Sequence, residues 1–172
     1  MTVSLYEVTV DSYLQMLASS KDVLERGAEY AKSHGANPDD LVKLSLHDDM
    51  APLSFQVISV WHHSLGAIKG MREGVFTPPP KKPDLDYAGL QGLIDEALDF
   101  VNTVNREEID ALSEKPMVFR VGEREVPFTM NNFALSFSLP NLYFHATTLY
   151  DLLRMHGVPL GKMNYLGQLR VG

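Results

Sequence analysis

The stretch Leu142–Gly157, LYFHATTLYDLLRMHG, constrains this chain more than any other, because its apolar residues recur at three- and four-residue steps. Such spacing specifies a helix with one buried stripe. With His145 at the centre and about 100° per residue, Leu142, Leu149, Leu152 and His156 fall within about 60° of it. Ser138, Asn141 and Thr148 fall there too. A histidine, an asparagine and two hydroxyls therefore share the face that carries the leucines. Buried polar groups cost free energy unless they are hydrogen-bonded, so this stripe is where chemistry is expected.

Three further stretches have the same period. Thr9–His34 places Tyr13, Leu17, Leu24, Ala28 and Ala31 on one side, with Thr9 or Asp11 as its cap and Gly35 as its stop. Asp39-Asp40 open a short helical piece at Leu41–Leu46. The second long helix is expected over Met50–Arg72, its stripe being Met50, Leu53, Val57, Val60, Trp61, Ser64 and Ile68, with Pro52 in its first turn. Gly66 and Gly70, four apart, either let another helix approach or mark fraying before Gly74. A third helix is expected over Asp86–Leu112 on Tyr87, Leu90, Ile94, Ala97, Leu98, Val101 and Val104. Its carboxylates Asp95, Glu96 and Asp99 lie on the far, solvated side.

Between helices two and three, Thr77–Pro83 (TPPPKKP) reads as an extended connection, because proline lacks the donor that a helix or a central strand needs. Between helices three and four, Met117–Phe128 alternates around Gly122-Glu123 and reads as a β-hairpin lying against the helices. Thr129 caps the fourth helix, Pro140 is expected to kink it, and Val158–Gly172 is expected to be irregular. The reading is all-α: one domain over residues 1–172, an up-and-down four-helix bundle with a long crossover loop and a small hairpin between helices 3 and 4.

Composition narrows the function classes. A net charge of −7 without a dense basic stripe argues against nucleic acid and anionic membrane as partners. The absence of cysteine excludes thiolate catalysis and zinc–thiolate sites, and fits a cytoplasmic protein. No apolar run approaches the ~20 residues of a membrane span, and MTVSLYEVTVDSY does not read as a signal peptide. A small-molecule ligand and a homodimer, whose twofold axis would cover an apolar face, are the expected partners. No glycine-rich phosphate loop, H-E-x-x-H or G-x-S-x-G is present.

Without cysteine, a catalytic metal would have to sit on His, Asp and Glu. His145 is the leading ligand; the alternative is a core histidine bonded to a neighbouring backbone or to Asn141. His156 lies roughly 16 Å further along the axis, too far to share an ion. His47-Asp48-Asp49 supply an imidazole and two carboxylates, which otherwise serve the dipole of the helix that follows. His62 and His63 fall about 140° and 120° from the centre of their helix's stripe, on opposite flanks, and are expected at the rim. His34 is expected to be solvated. Gln56, at the edge of the buried face, is a candidate hydrogen-bonding group. No catalytic residue can be assigned.

Asn141–His145 (NLYFH), followed by LYDLLR up to Arg154 and then by Gly157, resembles the last helix of the DinB/YfiT-like superfamily of four-helix metalloenzymes. Asp48–Val57 (DDMAPLSFQV), Leu139–His145 (LPNLYFH) and Val158–Gly167 (VPLGKMNYLG) are similar to a domain-of-unknown-function branch of it, found in bacteria and fungi. The resemblance implies a metal-dependent ancestor with thiol-linked transfer or isomerisation among its relatives. It also implies a three-histidine site, with two histidines from H-x-x-x-H on helix four and one from helix two. Here only His145 is retained. Asn141 stands at the first helix-four position, and Gln56 is the one suitable residue inside helix two.

Three expectations follow. The first is a small-molecule pocket between helices 2 and 4 lined by Gln56, Asn141, His145 and Thr148, with an eroded metal site. The second is a divalent-metal enzyme, a hydrolase or thiol-linked transferase, that holds Zn, Ni, Fe or Mn on His145, His47 and Asp49. The third is a non-catalytic dimeric bundle.

Overall fold

A computed structural model describes residues 3–82 and 84–171. Met1, Thr2, Pro83 and Gly172 lie outside them, so the readings of the N-terminus, the proline connection and the tail are followed only as far as their described residues.

The first helix, α1 (Leu5–Ser33), starts earlier than the apolar period alone suggests. Ser4 accepts from the Glu7 amide at 3.3 Å, and the Glu7 carboxylate accepts from the Ser4 amide at 3.0 Å. This reciprocal cap satisfies two helix-terminal donors and sets the start. Thr9 is therefore interior and buried, donating to the Leu5 carbonyl. The helix ends where Gly35 takes the left-handed conformation, φ +71°.

After a short 3₁₀ turn over Pro38–Leu41, in place of the expected Leu41–Leu46, the chain enters α2 (Leu53–Trp61). Helix α2 passes through a π-helical turn, His62–Gly66, into α3 (Ala67–Glu73), which stops at Gly74 with φ +72°. A two-residue strand β1 (Val75–Phe76) precedes the irregular Thr77–Lys82.

The expected third helix is divided. Helix α4 (Tyr87–Asn102), capped by Asp86, ends where Asn102 and Thr103 bond back to the Leu98 and Phe100 carbonyls. Such local bonds compete with helix propagation. Asn105 then caps the short α5 (Arg106–Asp110).

The hairpin is β2 (Pro116–Val121) and β3 (Arg124–Thr129), turning at Gly122 with φ +58°. Strand β1 adds in parallel, Val75 opposite Val118, which makes a three-stranded sheet with order β1-β2-β3. The fold is mostly helical, as expected, and β1 extends the expected hairpin into a small sheet.

Thr129 caps α6 (Met130–Phe133) as expected, accepting from the Asn132 amide. A second π turn, Ala134–Ser138, leads into α7 (Leu139–Met155). Pro140 lies directly after that turn, where the regular i→i−4 ladder is already interrupted and its missing N–H costs less. The tail is not wholly irregular, since it forms α8 (Lys162–Leu166) against α1.

Helix α1 packs on α4 and α7, and α2 packs on α7 and α4. Tyr13, Leu17, Leu24, Leu53, Val57, Leu90, Ile94, Leu142, Leu149 and Leu152 form the buried interior between them. No helix of the described residues is long and apolar enough to cross a membrane.

Candidate functional site

The two π turns touch. Ser138, in the second, donates from Oγ to the His63 carbonyl of the first at 3.1 Å, and shares a hydrogen bond with the Tyr13 hydroxyl at 3.0 Å. A π turn leaves carbonyls out of register with the helical ladder, and turns of this kind recur at functional sites. Here a buried hydroxyl binds such a carbonyl, and the contact joins α1, α2 and α7.

Around this contact the structure assembles three imidazoles. His62 and His63 are each only 6% exposed, which corrects the expectation that they sit at the rim. The helical wheel fails here because every residue from Gln56 to Leu65 is buried, not one face. Helices α4 and α7 pack on α2, while the α3–β1 segment folds back beside the π turn. The signal in the sequence is the stretch Met50–Ile68, which contains no Asp, Glu, Lys or Arg. A helix lacking charge on all sides is buried on all sides.

The ring of His62 stacks on Phe76 at 4.4 Å between centroids, and its Nε2–H donates to the Thr77 carbonyl at 2.7 Å. That bond fixes the start of the proline connection. Lys82 lies over the Trp61 ring at 4.3 Å. A Cβ at Gly66 would stand 2.6 Å from His62 Nδ1, so any side chain there would displace the ring. A cleft of about 210 Å³ opens beside this contact, lined in part by Trp61, His62, Gly66, Phe76, Thr77 and Pro80.

His63 lies between His62 and His145, with ring centroids 5.8 Å and 6.2 Å away. Burial lowers its pKa to about 3, and the neighbouring His62 and His145 oppose its charging further. Its Nδ1 is buried without a hydrogen-bond partner among the described residues.

His145 is half-buried, and burial lowers its pKa to about 4. Its Nδ1 meets Gln56 Oε1 at 2.7 Å, while Gln56 Nε2 donates to the Ala51 carbonyl at 2.8 Å. The second bond orients the amide, because only its NH₂ end can donate to a carbonyl. Gln56 Oε1 must then accept, so His145 carries its proton on Nδ1 and a lone pair on Nε2. Phe55 and Phe144, both partly exposed, stand edge-on to the ring at 5.7 Å and 5.2 Å.

The structure thus brings two of the expected pocket residues, Gln56 and His145, into direct contact. Asn141 and Thr148 instead bond back along their own helix, to the Phe137 and Phe144 carbonyls. His47 and Asp49 pair with each other at 2.6 Å, with side chains 71% and 84% exposed. Among the described residues no three His, Asp or Glu side chains are grouped to hold an ion, so His145, His47 and Asp49 are not brought together. The donor set Gln56, Asn141 and His145 does not fit the three-histidine centre that the resemblance implies. It contains one imidazole, and its Gln56 oxygen is engaged by the imidazole's own N–H.

The comparisons with known proteins bear on the whole chain. The family described as Domain of unknown function (DUF1993) matches residues 5–166. Among solved structures, the crystal structure of a DinB family member protein from Shewanella denitrificans is similar to this one with a TM-score of 0.81. The two are 25% identical, and the match covers 98% of this chain and 94% of that one. No curated protein matches.

Proposed function

Because the chain belongs to the family described as Domain of unknown function (DUF1993), with a DinB family member as a structural neighbour, we propose that it is a DinB-like four-helix-bundle protein that binds a ligand at the seam between α2 and α7. The binding atom is His145 Nε2. The observation that carries this reading is the Gln56–His145 hydrogen bond, because it turns a half-buried histidine into an acceptor of defined direction. A metal-ligating or substrate-binding histidine is oriented through its other nitrogen in the same way. The depressed pKa keeps this acceptor neutral at physiological pH. Phe55 and Phe144, both partly exposed and edge-on to the His145 ring, would offer apolar contact to a flat ligand bound there.

The test uses phenol as a flat hydrogen-bond donor and anisole, which lacks the donor, as its control. Phenol is expected to shift the His145 Nε2 resonance in ¹⁵N NMR of the wild-type protein, while anisole leaves it in place. Equal effects of the two probes, or none from either, contradict the reading.

A further inference from the structure

The single tryptophan of the chain, Trp61, closes α2 and is only 8% exposed. Its Nε1–H donates to Glu96 Oε2 at 3.1 Å. Donation to a carboxylate moves electron density into the indole and strengthens the pull of its face on a cation. One face already carries a cation, since Lys82 Nζ lies 4.3 Å from the ring centroid. Lys82 belongs to the connection of residues 77–82, which forms neither helix nor strand. No backbone–backbone hydrogen bond of the described residues involves residues 78–82, and Pro78, Pro79 and Pro80 have no amide to donate. The polar contacts that tie this connection to α2 and its π turn are the Thr77 carbonyl on His62 and the Lys82 ammonium on Trp61.

Other ring–cation contacts of the chain are of a different kind. Arg72 over Phe100 and Arg106 over Tyr6 are each held by a carboxylate as well, Glu108 and Glu7. For Lys82 the indole takes that place. The cleft of about 210 Å³ beside Trp61 has the same chemistry: His62, Phe76 and Pro80 give it ring walls, and Glu73 adds a carboxylate. Lys69 lines it too, but its ammonium lies over Phe100 at 5.2 Å. The Thr77 carbonyl at its edge is engaged by His62. Such a cleft suits one class of cation. A calcium or magnesium ion requires about six oxygen ligands. A primary ammonium requires acceptors for its N–H groups. A quaternary ammonium group requires neither, because it has no N–H to satisfy, and aromatic faces are what hold it.

We propose that the Trp61 cleft is a binding site for a small quaternary ammonium compound, and that Lys82 is the chain's own occupant of the ring, displaced when the ligand binds. Displacement frees the Lys82 end of the connection, while His62 keeps the other end at Thr77. The site does not rest on His145 Nε2 as a binding atom. Because Lys82 and the ligand compete for one ring, the apparent affinity is reduced by the fraction of molecules in which the ring is covered.

The experiment is a titration of the full chain with choline at fixed ionic strength, followed by the fluorescence of its one tryptophan. The controls are sodium chloride and 3,3-dimethylbutan-1-ol, the uncharged carbon isostere of choline. Choline is expected to change the emission saturably, and neither control to change it. In proton NMR of the wild type, the choline methyl protons are expected to show contacts with the indole protons of Trp61, a readout that does not depend on any variant folding. Lys82→Gln, which removes the competing charge, is expected to raise the affinity for choline about two- to fivefold, the range that a cation over an exposed ring supports. An equal response to the alcohol, no response to choline, or methyl contacts away from Trp61 overturns the site. An affinity that is unchanged or weaker in Lys82→Gln overturns the role of Lys82 as its occupant.

Discussion

Ser138 Oγ donates to the His63 carbonyl at 3.1 Å, so a residue of one π turn closes the hydrogen bonding of the other. The same hydroxyl meets Tyr13 OH at 3.0 Å, which brings α1 into the contact. The imidazole cluster is therefore built on a buried polar join that ties three helices to one atom.

Ser138→Ala is expected to cost about 2–3 kcal/mol, because it strands both the His63 carbonyl and the Tyr13 hydroxyl away from water. Tyr13→Phe removes one member and leaves the carbonyl bond, so its cost should be nearer about 1 kcal/mol. Urea unfolding of both variants and of the double variant checks this. The double variant should cost less than the sum of the two single ones, because the partners share one interaction.

Stability should fall with acid through the histidines. His63 and His145 have folded pKa values of about 3 and about 4, below the ordinary 6.5. The unfolded chain thus binds more protons between those values, and stability present above about pH 6.5 is lost as pH falls towards them. For His63 the loss reaches on the order of 3 kcal/mol by about pH 4. The unfolding free energy of wild type relative to that of His63→Phe, measured from about pH 7 to pH 4, should fall by about the same amount. A pH-independent difference would show that His63 is not the buried neutral group described.

Gly66→Ala tests the packing under the proline connection. The new methyl would meet His62 Nδ1 at 2.6 Å, so the ring must move and its bond to the Thr77 carbonyl must stretch or break. Overpacking of this kind costs about 1–3 kcal/mol. Limited proteolysis should cut the variant faster within Thr77–Lys82 than the wild type; equal rates would mean that His62 does not hold that segment.

Much of the fold is legible where a residue has a single local use. Gly35 and Gly74 stop helices because only glycine adopts their backbone at no cost, Gly122 turns the hairpin, and Thr129 and Asp86 cap the helices that follow them. The join of Gln56 to His145 is legible in part, because both lie on inward faces of long periodic helices.

His63 is not legible from the helical wheel, which assumes one buried face and an unbroken 3.6-residue period. Helix α2 violates the first assumption, since every position from Gln56 to Leu65 is buried, and the π turn violates the second. The charge-free stretch Met50–Ile68 was the available sign. Strand β1 escaped because two residues carry no period at all, and the break at Asn102–Thr103 because side-chain bonds to the backbone outweigh an apolar stripe that runs on to Val104.

The central claim, that Gln56 fixes His145 as a neutral acceptor, is tested most directly by ¹⁵N NMR of the imidazole nitrogens at neutral pH. His145 is expected as the Nδ1–H tautomer in the wild type and as a mixture of tautomers in Gln56→Leu. An Nε2–H tautomer or an imidazolium in the wild type would contradict the account.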